Sequence, residues 1–413
     1  MRERTASGAP RVALSTYLVA RYRVTALSVL ILLAIFYPFA AKGAPPAVFA
    51  ALCAVGACLA LRAPRWACYA ALLVALLLLV SDYVFTIAVG AQDSQSDRDE
   101  AVELAAESLL AGSNPWANPT QLNTPITTGP ASVLLALPSV LTTRHVDALS
   151  WLFYALFLGL LCAADLQRRN DTFMPLGLLF LSGFLGIQHA LYWSLDELAW
   201  AYLVLVAAWW LRTNGWPMGA GAGLAFALCS RASYGFPVFA FLCWDRYRPD
   251  GRRDLLRLAI GAALAAALIL APFVIVARAD LIAHNPFTVA GHMLAAPWPD
   301  TNLVFRSLNA SLGSLPPAPL AIVKGTLPLL AIWYGARQMR RGAPAHPFWH
   351  MTFAALLADL FVYPTQLSDD YALFFSIPAF FAVAYSPHGF GGAGAELGEP
   401  SRAPSAPARR RQR

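Results

Sequence analysis

Long apolar stretches separated by short polar segments recur along almost the whole chain. Many of them reach or approach the roughly 18 to 20 apolar residues that a helix needs to cross a bilayer. The pattern therefore predicts an all-α, polytopic membrane protein, a bundle of about twelve spanning helices. The predicted spans are 24–41, 45–62, 66–90, 148–164, 172–190, 198–212, 216–230, 234–244, 256–278, 317–336, 348–365 and 371–387.

The stretch QDSQSDRDEAVELAAESLLAGSNPW, residues 92–116, interrupts this pattern. Its apolar residues have the spacing of one helical face, and Gly112 and Pro115 end the periodicity. Glu103 and Glu107 fall on the opposite side. The stretch predicts a short amphipathic helix that lies along the membrane surface with its apolar face toward the bilayer. That face comprises Val102, Ala105, Ala106, Leu109 and Leu110.

The two aspartates at the beginning of this helix, Asp97 and Asp99, have two interpretations. Ser96 suits the N-cap position with Asp99 three residues later, so the carboxylates would satisfy free N–H groups and the helix dipole. Alternatively they take part in chemistry on the outer surface. The spacing alone leaves both interpretations open.

Charge predicts the orientation of the bundle. The chain has 58% hydrophobic and 13% charged residues and a net charge of +7, carried mostly by arginines in short loops. Such clusters mark cytoplasmic loops, which argues against nucleic acid as a partner. With both termini cytoplasmic, the long loops 91–130 and 279–315 lie on the outer face. We expect one transmembrane domain over 1–387 and a disordered basic cytoplasmic tail over 388–413.

The segment 131–143 is apolar but short for a crossing, so it is predicted to lie in the interface or to re-enter the membrane. The pair 216–230 and 234–244 is also short, and a single long helix broken near Pro237 is the alternative. The six cysteines show no C-x-x-C spacing, which indicates neither a zinc site nor a disulfide framework.

Three segments resemble a known family when taken in chain order. They are LLAGSNPW at 109–116, GIQHALYWSLDELAWAYLVLVAAWWLR at 186–212, and GAGAGLAFALCSRASYGFPVFAFLCW at 219–244. Together they are similar to polyprenyl-phosphate-sugar-dependent glycosyltransferases of the GT-C fold, especially the mannosyltransferase-like glycosyltransferase family 87. In that family an acidic residue in the first long outer loop precedes a motif like the first segment.

The resemblance implies a hexosyltransferase in the cytoplasmic (inner) membrane with its active site on the outer face. It would move a sugar, mannose by family, from a polyprenyl phosphate donor to a glycan or glycolipid acceptor, with inversion. Family spacing places Asp99 as the general base, with Asp97 as the second candidate. Arg231 stands where the family usually has lysine, and a guanidinium suits the donor phosphate.

Other polar residues of the predicted outer face are candidate substrate ligands. A charge within a span needs a partner or a ligand, so Arg231 either pairs with Asp196, Glu197 or Asp82, or holds phosphate. For Lys324 the same choice is between Asp359 and phosphate. No resident cofactor is predicted, although paired aspartates would also suit a divalent cation. The candidates are Arg231, Lys324, His189, Asp196, Glu197, Arg306, Asp369 and Asp370.

Two other classes of protein fit the same composition. A transporter or lipid flippase would carry its charges along a route across the bilayer, commonly within repeated segments, and no segment of this sequence recurs. A scaffold without catalysis would use the acidic helix for packing only.

Overall fold

The computed structural model describes residues 97–121, 123, 126–143, 146, 156–157, 159–160, 162–163, 197–248, 251–283, 286–298, 303–340 and 347–362. Within these residues the fold is all-helical, which confirms the all-α part of the prediction. The helices are α1 (Asp97–Leu110), α2 (Pro130–Thr143), α3 (Glu197–Thr213), α4 (Pro217–Ser230), α5 (Gly235–Arg246), α6 (Gly251–Val276), α7 (Arg278–Ala283), α8 (Pro286–Ala295), α9 (Leu303–Leu312), α10 (Pro317–Arg340) and α11 (Pro347–Phe361).

Two of these helices are long and apolar enough to cross a membrane, over Gly251–Val276 and Pro317–Gln338. They correspond to the predicted spans 256–278 and 317–336. Both expose large apolar side chains, including Leu268 at 75% and Ile322 at 69%. The predicted spans between 24 and 90, 172–190 and 371–387 lie outside the described residues.

Helices α4 and α6 pack most closely, because glycines remove the side chains at their crossing. A Cβ on Gly221 would lie 2.0 Å from the carbonyl oxygen of Leu258, and one on Gly261 would lie 2.0 Å from that of Met218. Backbone approaches backbone here, which is the packing that small residues permit in membrane helices.

The chain reverses at Arg231, between α4 and α5. Arg231 has an extended backbone, with φ −162° and ψ 148°, and a 3-10 turn at Ala232–Tyr234 leads into α5. The alternative of one long helix broken near Pro237 is therefore wrong. Pro237 is the third residue of α5, where its missing N–H removes no intrahelical hydrogen bond.

The described helices run between two ends of the bundle. One end holds the loop after α1, the Arg231 turn, the end of α6 and helix α8; we call it the acidic-loop end. The other holds the end of α3, the end of α5 and the beginning of α6, and Arg340 at the end of α10 contacts Tyr247 there. We call it the arginine end. This alternation agrees with the loop grouping that the charge pattern predicts.

Candidate functional site

Helix α1 forms where the periodicity predicts a surface helix. Val102, Ala105, Ala106 and Leu109 are buried against α2 and the end of α6. Leu110 is 49% exposed, because it is the last residue of the helix and the chain turns away at Gly112, whose φ is +70°. The apolar face thus packs on protein helices, so the prediction that it lies toward the bilayer was wrong.

Two glutamates of α1 are hydrogen-bonded to backbone. Both carboxylate oxygens of Glu100 accept the N–H of Gln121, at 3.0 and 2.9 Å. Glu103 accepts the N–H of Val146 at 2.9 Å and is half-buried, although the periodicity places it on the polar face. Glu107 is exposed. Glu100 and Glu103 therefore anchor the connections on either side of α2.

The loop after α1 is fixed by the tryptophan of the LLAGSNPW motif. Trp116 is buried, donates from Nε1 to the carbonyl of Thr128 at 2.9 Å, and packs on Phe273 with ring centroids 5.5 Å apart. The motif residues Gly112 and Trp116 thus bring the loop back to the beginning of α2.

The two candidate bases lie at the beginning of α1. Asp97 is its first residue and Asp99 its third, so both sit in the first turn as predicted. Their side chains lie outside the described part, so the choice between a cap and a base stays a prediction. The second turn of α1 is near the end of α2, since Glu103 reaches Val146, three residues beyond it, whereas Glu100 of the first turn reaches Gln121 before α2.

Arg231 lies by the beginning of α2. Gly129 donates its N–H to the carbonyl of Ser230 at 2.8 Å, and a Cβ on Gly129 would lie 2.2 Å from the carbonyl oxygen of Cys229. Arg231 is half-buried and engaged in an interaction. The 14 residues of α2 span about 20 Å, so the backbones of Asp99 and Arg231 stand toward opposite ends of that helix.

Lys324 is buried at the same end of the bundle, on the side of α8. Its ammonium donates to the carbonyls of Met293 at 2.6 Å and Ala296 at 2.8 Å, and lies 5.1 Å from the centre of the Trp298 ring. Met293 lies in the last turn of α8 and Ala296 directly follows the helix, where carbonyls have no intrahelical donor. The interaction is a helix C-cap, which neither predicted partner anticipated; the Asp359 side chain is outside the described part.

Trp298, which lies beside the Lys324 ammonium, is held by a neighbouring asparagine. Asn309 accepts the Trp298 N–H at 3.1 Å, and its amide donates to the Trp298 carbonyl. The buried indole N–H has no acceptor among the described residues. Within the described part of the chain, this indole donor therefore lies unmatched beside a buried cation.

The remaining candidates are not brought together within the described part of the chain. Arg306 is exposed on α9. Glu197 is the first residue of α3, and its side chain is not described. His189, Asp196, Asp369 and Asp370 lie outside the described residues.

The arginine end contains a buried ionic network that the sequence reasoning missed. Arg212 is 0% exposed and forms an ion pair with Asp245, whose Oδ1 lies 2.6 Å from the arginine Nε, and it donates from a terminal nitrogen to Asp254 at 3.4 Å. Arg212 ends a long apolar run, and a charge in that position was the feature of the sequence that could have indicated a buried ion pair. Asp245 and Asp254 lie within the stretch DRYRPDGRRDLLR, whose arginines dominate its charge.

Comparison with known proteins gives no match to a family model, a curated protein or a solved structure. Across the described residues, no group of three histidine, cysteine or acidic side chains could hold a metal ion.

Proposed function

We propose that this chain is a multi-pass glycosyltransferase of the cytoplasmic membrane. It transfers a hexose, mannose by resemblance, from polyprenyl phosphate to a glycan or glycolipid acceptor on the outer face. The acidic-loop end is the outer end in this proposal, and the arginine end faces the cytoplasm, as the positive-inside tendency requires.

One observation carries the proposal: α1 begins with Asp97 and Asp99 and packs on α2 and α6 at the end of the bundle opposite to the arginines. Two of the neighbouring carboxylates, Glu100 and Glu103, already accept backbone N–H groups. Asp97 and Asp99 are therefore the acids of this stretch best suited to chemistry.

The proposed reaction needs one base and one cation. The acceptor hydroxyl oxygen attacks the anomeric carbon while the bond from that carbon to the phosphate oxygen breaks, and polyprenyl phosphate leaves. Asp99 takes the hydroxyl proton, a role worth typically about 10²- to 10⁴-fold. A phosphate leaving group is already a weak base, so no strong acid is required.

Two cations at the acidic-loop end suit the departing phosphate. Arg231 lies at the reversal between α4 and α5, and Lys324 lies under α8 beside the ring of Trp298. The α8 helix packs against the 3-10 turn that follows Arg231. Both cations therefore border the region between α8 and that turn.

The test measures transfer of a radiolabelled hexose from a polyprenyl phosphate to a membrane acceptor extract, using the purified full chain in micelles. We expect turnover by the wild type and a loss of about 10²-fold or more in Asp99→Asn, with KM for the donor little changed. Asp97→Asn is the second arm, because either aspartate is a candidate base.

Glu107→Gln is the matched control, since Glu107 is an exposed carboxylate on the same helix. It should transfer sugar at the wild-type rate. Equal activity of the wild type, Asp97→Asn and Asp99→Asn would remove the base assignment. If polyprenyl phosphates carrying mannose, glucose or galactose all give no turnover, transport becomes the better interpretation.

A further inference from the structure

The arginine end carries exposed arginines on two helices, α6 and α10, that both pack against α5. Arg252 and Arg253 are exposed on the first turn of α6, and Arg337 and Arg340 are exposed on the last turns of α10. Helix α5 packs against both α6 and α10. Tyr247, just beyond α5, lies 5.8 Å from the Arg340 guanidinium, measured to the ring centre. We call these four arginines, with Tyr247, the arginine surface.

The described acids of this end do not neutralise the arginine surface. Asp245 is 2% exposed and is bound by the buried Arg212. Asp254 is shared between Arg212, at 3.4 Å, and Arg257, at 3.9 Å. Among the described residues, no carboxylate forms an ion pair with Arg252, Arg253, Arg337 or Arg340. The surface therefore keeps its positive charge.

Exposed apolar side chains continue from the arginines along both helices. On α6 they follow Arg253 at helical spacing, with Leu256 70%, Leu264 56% and Leu268 75% exposed. On α10 the Arg337 guanidinium lies 5.3 Å from the centre of the Trp333 ring, and Trp333 is 56% exposed. A charged end joined to an apolar stripe has the layout of a phospholipid, with a headgroup and acyl chains.

We infer that the arginine surface is a binding site for an anionic phospholipid. The lipid phosphate would take hydrogen bonds from the guanidinium groups, which suit planar phosphate recognition. Its acyl chains would lie against the exposed leucines of α6. Basic pockets between membrane helices on the cytoplasmic side bind anionic headgroups in this way. The inference requires membrane insertion of α6 and α10 and is independent of sugar transfer.

The test is native mass spectrometry of the full chain released from micelles containing phosphatidylglycerol or phosphatidylcholine. The wild type should retain phosphatidylglycerol and little phosphatidylcholine. In Arg252→Gln/Arg253→Gln/Arg340→Gln, the apparent affinity for phosphatidylglycerol should fall by about fivefold for each arginine removed. A triple change to lysine should restore part of the binding, because it keeps the charge.

Arg278→Gln is the matched control, because Arg278 is an exposed arginine at the acidic-loop end. It should bind phosphatidylglycerol as the wild type does. Equal retention of the two lipids, or an equal loss in Arg278→Gln, would overturn the inference, as would wild-type binding by the triple variant. Should the triple variant unfold, Arg252→Gln/Arg253→Gln replaces it in the test. Its apparent affinity for phosphatidylglycerol should fall by about 25-fold, and wild-type binding by this double variant would overturn the inference.

Discussion

Lys324 shows how a buried charge is satisfied without an acid. The ammonium has three donors. Two reach carbonyls at the end of α8, and the face of Trp298 covers the same group. A cation at a helix C-terminus also gains from the helix dipole. Lys324 therefore holds α8 onto α10, whether or not it also contacts a substrate.

We expect Lys324→Met to lower the free energy of unfolding by about 1.5–3 kcal/mol, because hydrogen bonds from a charged group are lost and buried carbonyls are left unpaired. Thermal unfolding in micelles measures the effect. Thr326→Val, on the same helix, removes an exposed hydroxyl that donates to Ile322 and should change stability by less than about 0.5 kcal/mol. An unchanged melting temperature with a raised donor KM would instead assign Lys324 to the substrate.

At the residue scale, the sequence predicted that Lys324 needs a partner but not which one. The acceptors are backbone carbonyls about thirty residues earlier, and backbone groups leave no mark in the sequence. Glu103 was assigned to the polar face for a similar reason: periodicity describes one helix, whereas its hydrogen bond to Val146 depends on where the chain returns after α2.

At the scale of elements, apolar periodicity predicted most of the described helices within a few residues. Helices α3, α4, α5, α10 and α11 correspond to predicted spans, and the short apolar segment at 131–143 is the separate helix α2. The predicted spans 216–230 and 234–244 placed the break at Arg231 correctly, and only the alternative of one helix broken near Pro237 was wrong. The reversal depends on the contact of the Gly129 backbone with the end of α4.

The crossing of α4 and α6 makes a prediction about packing. Gly221→Val would drive a side chain into the carbonyl of Leu258, so the helices must separate. We expect the free energy of unfolding to fall by about 1–3 kcal/mol, which is the usual cost of overpacking a core. The thermal midpoint in micelles measures it.

Gly235→Ala is the control for this crossing. Gly235 has the helical φ of −54°, and an added Cβ would meet nothing within 4 Å. Its melting temperature should equal or slightly exceed that of the wild type, since alanine favours a helix. If Gly221→Val melted at the same temperature as Gly235→Ala, the close crossing would be refuted.

At the scale of the whole molecule, charges differ in kind between the two ends. At the arginine end, Arg212 draws Asp245 and Asp254 together, so that α3, α5 and α6 meet around one guanidinium. At the acidic-loop end, Glu100 and Glu103 fix connections, and Asp97 and Asp99 begin helix α1. The loop charges predicted this separation, because positive-inside counting depends on composition alone. The ion pairs of Arg212 with Asp245 and Asp254 depend on how the helices pack, so a count of loop charges does not predict them.

The Arg212 network makes the last prediction. Arg212→Met keeps an unbranched side chain of similar length but leaves Asp245, 2% exposed, without its buried counter-charge. Removing one partner of a buried pair costs about 3–5 kcal/mol, because the remaining charge stays out of water. The variant should unfold at a much lower temperature in micelles, and Asp245→Leu added to it should recover part of the loss. Arg257→Gln, at an arginine that is 65% exposed, should change stability by less than about 1 kcal/mol. Wild-type stability of Arg212→Met would mean that Asp245 is solvated and that the arginine end is open to water.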